Sequence, residues 1–135
     1  MAIETLFSNY LAAFMRNDLK ALQALYSLPC MLATPDEVKW LTSSESFKSS
    51  FNDIFTQLNH ANVATIDYSR ASYCQLSSTL VNACVEWQFV DGNNQVFAQF
   101  CAFYVIHLFN EQWRIVNVTS FDISQYQQLA NTFQF

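Results

Sequence analysis

The sequence predicts an α+β domain in which three N-terminal helices pack on a curved antiparallel sheet of long strands. Two observations carry this prediction. Apolar residues recur at helical spacing within the first 60 residues, whereas residues 62–122 form long β-rich runs separated by short turns. The chain has 135 residues and no Gly- or Pro-rich linker or repeat. We therefore expect one domain over 1–135, with a C-terminal tail at 123–135.

The first two helices are predicted from an apolar stripe and a capping residue. One helical face near the N-terminus collects Ile3, Leu6, Phe7, Tyr10, Leu11 and Phe14. Asn17 and Asp18 can cap a shorter second helix, and Pro29 prevents that helix from continuing. These signals predict a long helix followed by a short one.

A small hairpin and a third helix are predicted next. The segments 28–34 and 37–42 resemble two short strands joined by a Pro-Asp turn. Thr42 and Glu45 have the spacing of a capping box, which marks a helix start. The apolar face of this third helix would hold Phe47, Phe51, Ile54, Phe55 and Leu58.

Four long strands are predicted from residue 62 onward, with turns at 77–78, 92–93 and 110–111. If each turn has two residues, Cys84 lies directly opposite Cys101. The two thiols could then be reduced core residues or a redox-sensing pair, and both readings stay open. The last residues could form a short helix capped by Ser124 or a mobile tail.

Composition and charge exclude several classes of function. Hydrophobic residues make up 52% and charged residues 13% of the chain, which favours an oligomer. A net charge of -5 argues against nucleic-acid binding. The sequence shows no signal peptide or membrane span, so we expect a cytoplasmic protein without membrane attachment. No cysteine spacing of a metal site and no phosphate-binding glycine loop occurs, so no metal or cofactor is predicted.

Strand alternation separates the sheet into two faces, provided that no bulge intervenes. The inner face would be apolar and would include Trp87. The few polar residues on this face are predicted to bind a ligand, and they are Tyr68, Arg70, Tyr104, Asn117 and Thr119. An inward guanidinium would need an anion to pair with. A one-residue bulge would instead turn Arg70 outward, and this alternative stays open.

The outer face is mixed and is predicted to form a homodimer interface through Glu86, Gln99, Phe103, Val105 and Val118. Two further residues are candidates for proton transfer. His107 has the ordinary pKa of a general base, although a structural role beside Arg114 is the alternative. Asp67 flanks Tyr68 and Arg70, and it could serve as a base if a bulge reversed its strand.

The order of elements resembles the nuclear transport factor 2-like (NTF2-like) superfamily, in its SnoaL-like and ketosteroid isomerase-like branch. The resemblance covers roughly residues 1–122 and rests on YSLPCM, VEWQFVDGNNQVFAQF and EQWRIVNVTSFD. It implies a cone in which a curved sheet surrounds a pocket, and a dimer formed by outer sheet faces. Isomerases of this type place acids in the cone, whereas the predicted inner face here has no carboxylate.

These observations lead to two hypotheses about function. In the first, the protein is a homodimer that binds a small, mainly apolar molecule in the cone, and Arg70 would favour an anion. Its enzymatic version has Tyr104, Asn117 or Tyr68 polarise a carbonyl while Asp67 or His107 moves a proton. In the second, the cone is filled by side chains and the dimer is a non-catalytic protein-interaction module.

Overall fold

A computed structural model describes residues 2–135 and confirms the α+β class. Three helices precede and flank the first strands, and most of the sheet follows α3, as predicted. The helices are α1 (Ala2–Met15), α2 (Leu19–Gln23) and α3 (Ser44–His60). The strands are β1 (Tyr26–Ala33), β2 (Val38–Leu41), β3 (Val63–Ser77), β4 (Leu80–Asp91), β5 (Val96–Phe109), β6 (Gln112–Phe121) and β7 (Asn131–Thr132).

The strands form one seven-stranded sheet in the order β2-β1-β6-β5-β4-β3-β7. The predicted meander β3 to β6 is present, and its neighbouring strands are antiparallel. The sheet is not purely antiparallel, however, because β1 pairs in parallel with β6. This pairing places the small β1-β2 hairpin at one edge of the meander. Among residues 2–135, no helix combines the length and apolar character needed to cross a bilayer.

The helix starts are set by short-range hydrogen bonds. Asp18 caps α2 as predicted, since its carboxylate accepts a hydrogen bond from the Ala21 N–H at 3.0 Å. The cap of α3 is Ser43 and not Thr42. Ser43 and Ser46 exchange reciprocal side-chain to backbone hydrogen bonds, each 3.1 Å long. The capping box therefore lies one residue later than the sequence spacing indicated.

The core lies between the helices and the inner face of the sheet. The buried face of α3 comprises Phe47, Phe51, Phe55 and Leu58, and Ile54 of the predicted set is only half-buried. Phe47 is fully buried and stacks on Phe51 with ring centroids 4.4 Å apart. The Tyr26 ring packs on the same pair, 5.2 Å from Phe47. Aromatic rings thus supply much of the buried apolar area.

Of the register shifts in the sheet, two β-bulges change the face of predicted site residues. In β3, Tyr68 pairs with Trp87 but Arg70 pairs with Glu86, so Ser69 is the extra residue. In β6, an extra residue at position 116 separates the pairs Ile106 with Ile115 and Val105 with Asn117. A shift of one residue exchanges the two faces of a strand. The inward and outward assignments predicted beyond each bulge are therefore reversed.

The β4-β5 turn is longer than predicted, but this change leaves the faces from Ala98 onward intact. Asp91 donates its N–H to the Gln95 carbonyl at 2.9 Å, and its carboxylate accepts backbone hydrogen bonds from Asn93 and Gln95. The loop and a register irregularity at Phe97 together move the strand pairing by two residues, so that Glu86 lies opposite Cys101. Since side chains alternate with a period of two, this combined shift preserves the predicted faces from Ala98 onward.

The C-terminal segment is neither a short α-helix capped by Ser124 nor a free tail. Asp122 caps a 3₁₀ turn at Ile123–Gln125 and accepts the Ser124 N–H at 2.9 Å. The chain then pairs with β3 through β7. Phe133 is buried in the core, and the Phe135 ring stacks on Tyr68 at 4.0 Å. The segment therefore follows the β3 edge from the outer face to the inner face.

Candidate ligand cavity

A cavity of about 370 Å³ lies between the inner face of the sheet and helices α1 and α3. Its walls are mainly aromatic and aliphatic, which is typical of sites for small apolar molecules. The rings and aliphatic groups include Phe14, Tyr26, Phe51, Trp87, Phe100 and Tyr104. Space therefore remains beside these rings that the protein's own side chains do not fill.

Three tyrosines and one tryptophan supply the buried polar groups of this cavity. The Trp87 indole donates to the Tyr104 hydroxyl at 2.9 Å, and Tyr104 donates in turn to the Tyr10 hydroxyl at 3.3 Å. The Tyr26 and Tyr10 hydroxyls are close enough for a hydrogen-bond interaction that shifts the pKa values of both groups. The Tyr26 hydroxyl nevertheless has no hydrogen-bond partner of acceptable geometry among the described residues, although Tyr26 is only 2% exposed.

An unpartnered buried hydroxyl is unusual, because burial without a hydrogen bond costs about 1–3 kcal/mol. Tyr26 lines the cavity, but its hydroxyl oxygen has almost no accessible surface, so a bound molecule would reach it only after neighbouring side chains move. Tyr26 is therefore the residue of the cavity wall whose buried hydroxyl still lacks a well-formed hydrogen bond among the described residues.

The tyrosines of the cavity are hydrogen-bond donors at neutral pH. Burial raises the pKa of Tyr10, and it raises the pKa values of Tyr26 and Tyr104 well above the ordinary value of tyrosine. For the latter two, the neighbouring Tyr10 hydroxyl raises the pKa further. Because deprotonation is disfavoured, these groups can polarise a carbonyl but cannot act as general bases.

The opening of the cavity is polar and slightly acidic. Two carboxylates, Glu37 and Asp53, and one ammonium group, Lys39, line this region, and both carboxylates belong to exposed residues. Lys39 pairs with Glu37 at 3.6 Å, which leaves the Asp53 charge in excess. No other charged side chain among the described residues lines the cavity. An anionic ligand would therefore meet no unpaired cation there.

The structure brings two of the predicted ligand-binding residues into the cavity wall. Trp87 and Tyr104 both line it. Tyr68 is on the inner face as predicted, but its hydroxyl exchanges hydrogen bonds with the Phe135 backbone at 3.0 and 2.8 Å. The C-terminal residue thus occupies the Tyr68 hydroxyl, and Tyr68 does not line the cavity.

Arg70 lies on the outer face, so its prediction as an inward ligand-binding residue is wrong. The bulge at Ser69 turns it outward, where its Nε atom lies 2.7 Å from a Glu86 carboxylate oxygen. The guanidinium also lies 4.0 Å above the centre of the Tyr126 ring. Its charge is therefore satisfied by a carboxylate and an aromatic face and is not available to a ligand in the cone.

The bulge in β6 corrects three further assignments. Asn117 and Thr119 were predicted to face the pocket, but they pair with Val105 and Phe103 on the outer face. Val118 was predicted in the dimer interface, but it is buried and lines the cavity. The extra residue in the strand reverses the alternation for all three.

Neither candidate for proton transfer reaches the cavity. Asp67 precedes the β3 bulge, so its strand is not reversed, and it pairs with Gln88 on the outer face. Its side chain is exposed and accepts the Tyr68 N–H at 2.8 Å. His107 is half-buried on the same outer face, opposite Arg114 and beside the Phe109 ring. Both lie on the other side of the sheet from the tyrosines.

Sequence reasoning missed Tyr10 and Tyr26 as site residues. Tyr10 lies in the apolar stripe of α1, where an aromatic residue normally indicates core. Tyr26 begins β1, two residues before the predicted strand. The available signal was the presence of a tyrosine within each apolar segment. A buried tyrosine hydroxyl needs a hydrogen-bond partner, so such a residue indicates a polar group inside the core.

The outer face retains the other predicted interface residues. Phe103 and Val105 are half-buried there, and Gln99 donates to Gln88 at 3.1 Å. Glu86 also lies on this face, where Arg70 neutralises it. The C-terminal segment covers the neighbouring region of the face. Most of the β4-β5-β6 strip carrying Phe103 and Val105 has no covering helix.

The cysteines are all free thiols. Cys84 pairs with Phe103 and Cys101 with Glu86, so the prediction that these two cysteines lie directly opposite each other is wrong. Burial raises the pKa of Cys30 and of Cys101 to about 11 and also raises that of Cys84. Among residues 2–135, no group of three metal-binding side chains converges on one point.

We expect only Cys74, which is half-buried, to react quickly with a thiol reagent in the folded protein at pH 8. A thiol with a pKa near 11 is ionised to about one part in a thousand at that pH, and burial hinders access further. Mass spectrometry after brief iodoacetamide treatment measures this. Four labels in denaturant provide the reference, and comparable labelling of Cys84 without denaturant would contradict the burial described above.

The fold and its enclosed cavity define the class of NTF2-like proteins. Residues 1–122 match the family described as NTF2-like protein (DUF6841). The chain therefore belongs to this family. No match to a curated protein was found.

Solved structures with the same fold share little sequence with this chain. An NTF2-like protein of unknown function from Shewanella oneidensis has 13% identity and a TM-score of 0.70, over 87% of this chain and 94% of the other. A protein from Shewanella frigidimarina, named provisionally as a ketosteroid isomerase, has 9% identity and a TM-score of 0.71, over 89% and 94%. At these identities the likeness shows the fold alone.

Proposed function

We propose that this protein binds a small, uncharged, mainly apolar molecule in the cavity and holds one polar atom of that molecule at Tyr26. The observation that carries the proposal is the aromatic-walled cavity of about 370 Å³, whose wall includes Tyr26 with a buried hydroxyl that lacks a hydrogen bond of acceptable geometry among the described residues. A ligand carbonyl or hydroxyl would remove the desolvation cost of this group.

The charges of the cavity support a neutral ligand instead of the anion that an inward Arg70 would have favoured. The guanidinium is held outside by Glu86, and Lys39, the ammonium group that lines the cavity among the described residues, is paired with Glu37. A carboxylate entering the cone would lose hydration without gaining a cation. Apolar contact with the rings would supply most of the binding free energy.

The proposal is one of binding without turnover. Acid/base chemistry of the isomerase or dehydratase type requires a proton acceptor near the bound molecule. The deep polar groups are protonated tyrosines, and the cavity carboxylates Glu37 and Asp53 belong to exposed residues at the opening. Asp67 and His107 are separated from the cavity by the sheet.

We expect 2-naphthol to bind the wild type more tightly than either naphthalene or 2-naphthoate. The Tyr26→Phe variant should weaken 2-naphthol about fivefold, which corresponds to a hydrogen bond of about 1 kcal/mol. It should leave naphthalene unchanged, because this molecule has no polar atom for the hydroxyl. Isothermal titration calorimetry and the rise in melting temperature measure these affinities.

A matched variant tests the location of the ligand. Ser120 is half-buried and lines the cavity, so Ser120→Trp should occupy part of the space and abolish binding of both ring compounds. Equal weakening of 2-naphthol and naphthalene by Tyr26→Phe would refute the hydrogen bond. If no ring compound raises the melting temperature of the wild type, the binding function itself is refuted.

A homodimer through the outer sheet face is the second part of the proposal. Phe103 and Val105 are half-buried on the outer face and leave apolar surface there, although the 3₁₀ turn at Ile123–Gln125 contacts β5. Pairing two such faces would remove this apolar surface from water. The burial would stabilise the dimer by about 25 cal/mol for each Å² of apolar surface. The fully buried, free thiols agree with the reducing cytoplasm that we propose as its location.

A further inference from the structure

The six basic side chains divide into two groups of three. Arg16, Lys39 and Arg70 each form an ion pair, with nitrogen to oxygen distances of 4.0, 3.6 and 2.7 Å. Lys20, Lys48 and Arg114 have no carboxylate within 4.0 Å among the described residues. The chain has eleven acidic residues and a net charge of -5, so carboxylates are not scarce. Lys20 and Lys48 are exposed, and exposed lysines often lack an ion pair, so the position of these three cations relative to one another decides whether they form a site.

All three unpaired cations line one groove of about 550 Å³. They come from different elements, since Lys20 is in α2, Lys48 in α3 and Arg114 in β6. No acidic residue lines the groove. We name this site, lined by Lys20, Lys48, Arg114, Gln23, Ser44 and Leu28, the basic groove.

The fold thus holds three positive charges near one another without a compensating charge of the protein. Such an arrangement opposes folding by mutual repulsion, most strongly at low ionic strength. Neutral donors are also present. Ser44 donates to the Gln23 amide oxygen at 3.0 Å, which leaves the Gln23 amide nitrogen able to donate to a bound group. An anion in the groove would relieve the repulsion and accept these hydrogen bonds.

We propose that the basic groove binds a phosphate monoester. The charge of three cations is matched better by a phosphate dianion than by a carboxylate monoanion. Both lysine and arginine bind phosphate oxygens well. One nitrogen of Arg114 already donates to Gln112 at 2.9 Å, which orients the guanidinium at the edge of the groove. The apolar Leu28 and Ala24 can contact the organic part of the ester.

The test compares glycerol 3-phosphate with glycerate, which carries a carboxylate on a similar small polyol. At constant ionic strength, nitrogen-15 NMR titration should show saturable binding of the phosphate, with shifts at Lys20, Lys48 and Arg114, and much weaker binding of glycerate. Lys48→Gln and Arg114→Gln should each weaken glycerol 3-phosphate about tenfold, as expected for loss of one charge-assisted hydrogen bond.

Lys39→Gln is the matched control, because it removes the same charge outside the groove. It should leave phosphate affinity unchanged. Without anion at low ionic strength, Lys48→Gln should raise the melting temperature through lost repulsion, whereas a packing role for Lys48 would lower it. Binding of the protein to vesicles that contain phosphatidic acid, compared with vesicles that lack it, shows whether the groove binds a phosphate monoester carried by a lipid as well as a free one.

Three results would overturn the proposal. The first is the absence of saturable binding to both glycerol 3-phosphate and phosphatidic acid vesicles. The second is equal affinity for glycerate, which would indicate no selection for phosphate. The third is a loss in Lys39→Gln as large as the loss in Lys48→Gln, because this would indicate that only the overall charge matters.

Discussion

Replacing Phe47 by alanine is expected to lower the free energy of unfolding by about 3–5 kcal/mol. Phe47 is 0% exposed and packs between the rings of Phe51 and Tyr26, with centroid distances of 4.4 and 5.2 Å. The substitution removes this apolar area and leaves a void beside close-packed rings. Urea unfolding followed by circular dichroism measures the loss.

Phe109→Ala is the matched control, because it makes the same chemical change at a residue that is 41% exposed. A loss below about 1 kcal/mol is expected there. Similar losses in the two variants would show that the third helix does not pack on the sheet as described. A loss confined to Phe47→Ala would confirm that the α3 face is part of the core.

Phe103→Asp is expected to convert the proposed homodimer into monomers. Phe103 lies on the outer face between Cys84 of β4 and Thr119 of β6, and it is half-buried within a single chain. A carboxylate at this position would be buried in the dimer without a cation, which costs several kcal/mol. Light scattering and sedimentation at micromolar concentration measure the mass of each species.

Leu76→Asp is a suitable control for this experiment, because Leu76 is 54% exposed and lies near the end of β3, away from the strip around Phe103. It should leave the oligomeric state unchanged. A monomeric wild type would refute the dimer. A dimer that survives Phe103→Asp would show that another surface forms the interface.

Secondary structure was largely predictable because its signals are local. The α1 stripe, the Asp18 cap and the apolar face beginning at Phe47 each depend on residues three or four positions apart. The class and the order of elements followed from these patterns. The α3 cap moved by one residue to Ser43, because Ser43 and Ser46 form the reciprocal hydrogen bonds of the capping box.

The sheet face on which each side chain of the long strands lies was less predictable. One extra residue moves every later side chain of that strand to the opposite face. Nothing in the local sequence around Ser69 or at position 116 indicated a bulge, and the neighbouring strands selected both positions. As a result Arg70 left the predicted pocket and Val118 entered it. The longer β4-β5 loop left the predicted faces from Ala98 onward unchanged, because the loop and a register irregularity at Phe97 together shift the pairing by two residues.

Alternation along the chain was sufficient to predict an apolar, aromatic inner face containing Trp87 and Tyr104. Only the tertiary structure placed the Tyr26 hydroxyl beside Tyr10 and gathered Lys20, Lys48 and Arg114 around one groove. These groups lie on elements far apart in sequence, so their proximity depends on how β1 joins β6 and how the helices cross the sheet. Periodicity determines which way a side chain points, whereas packing between distant segments determines what it meets.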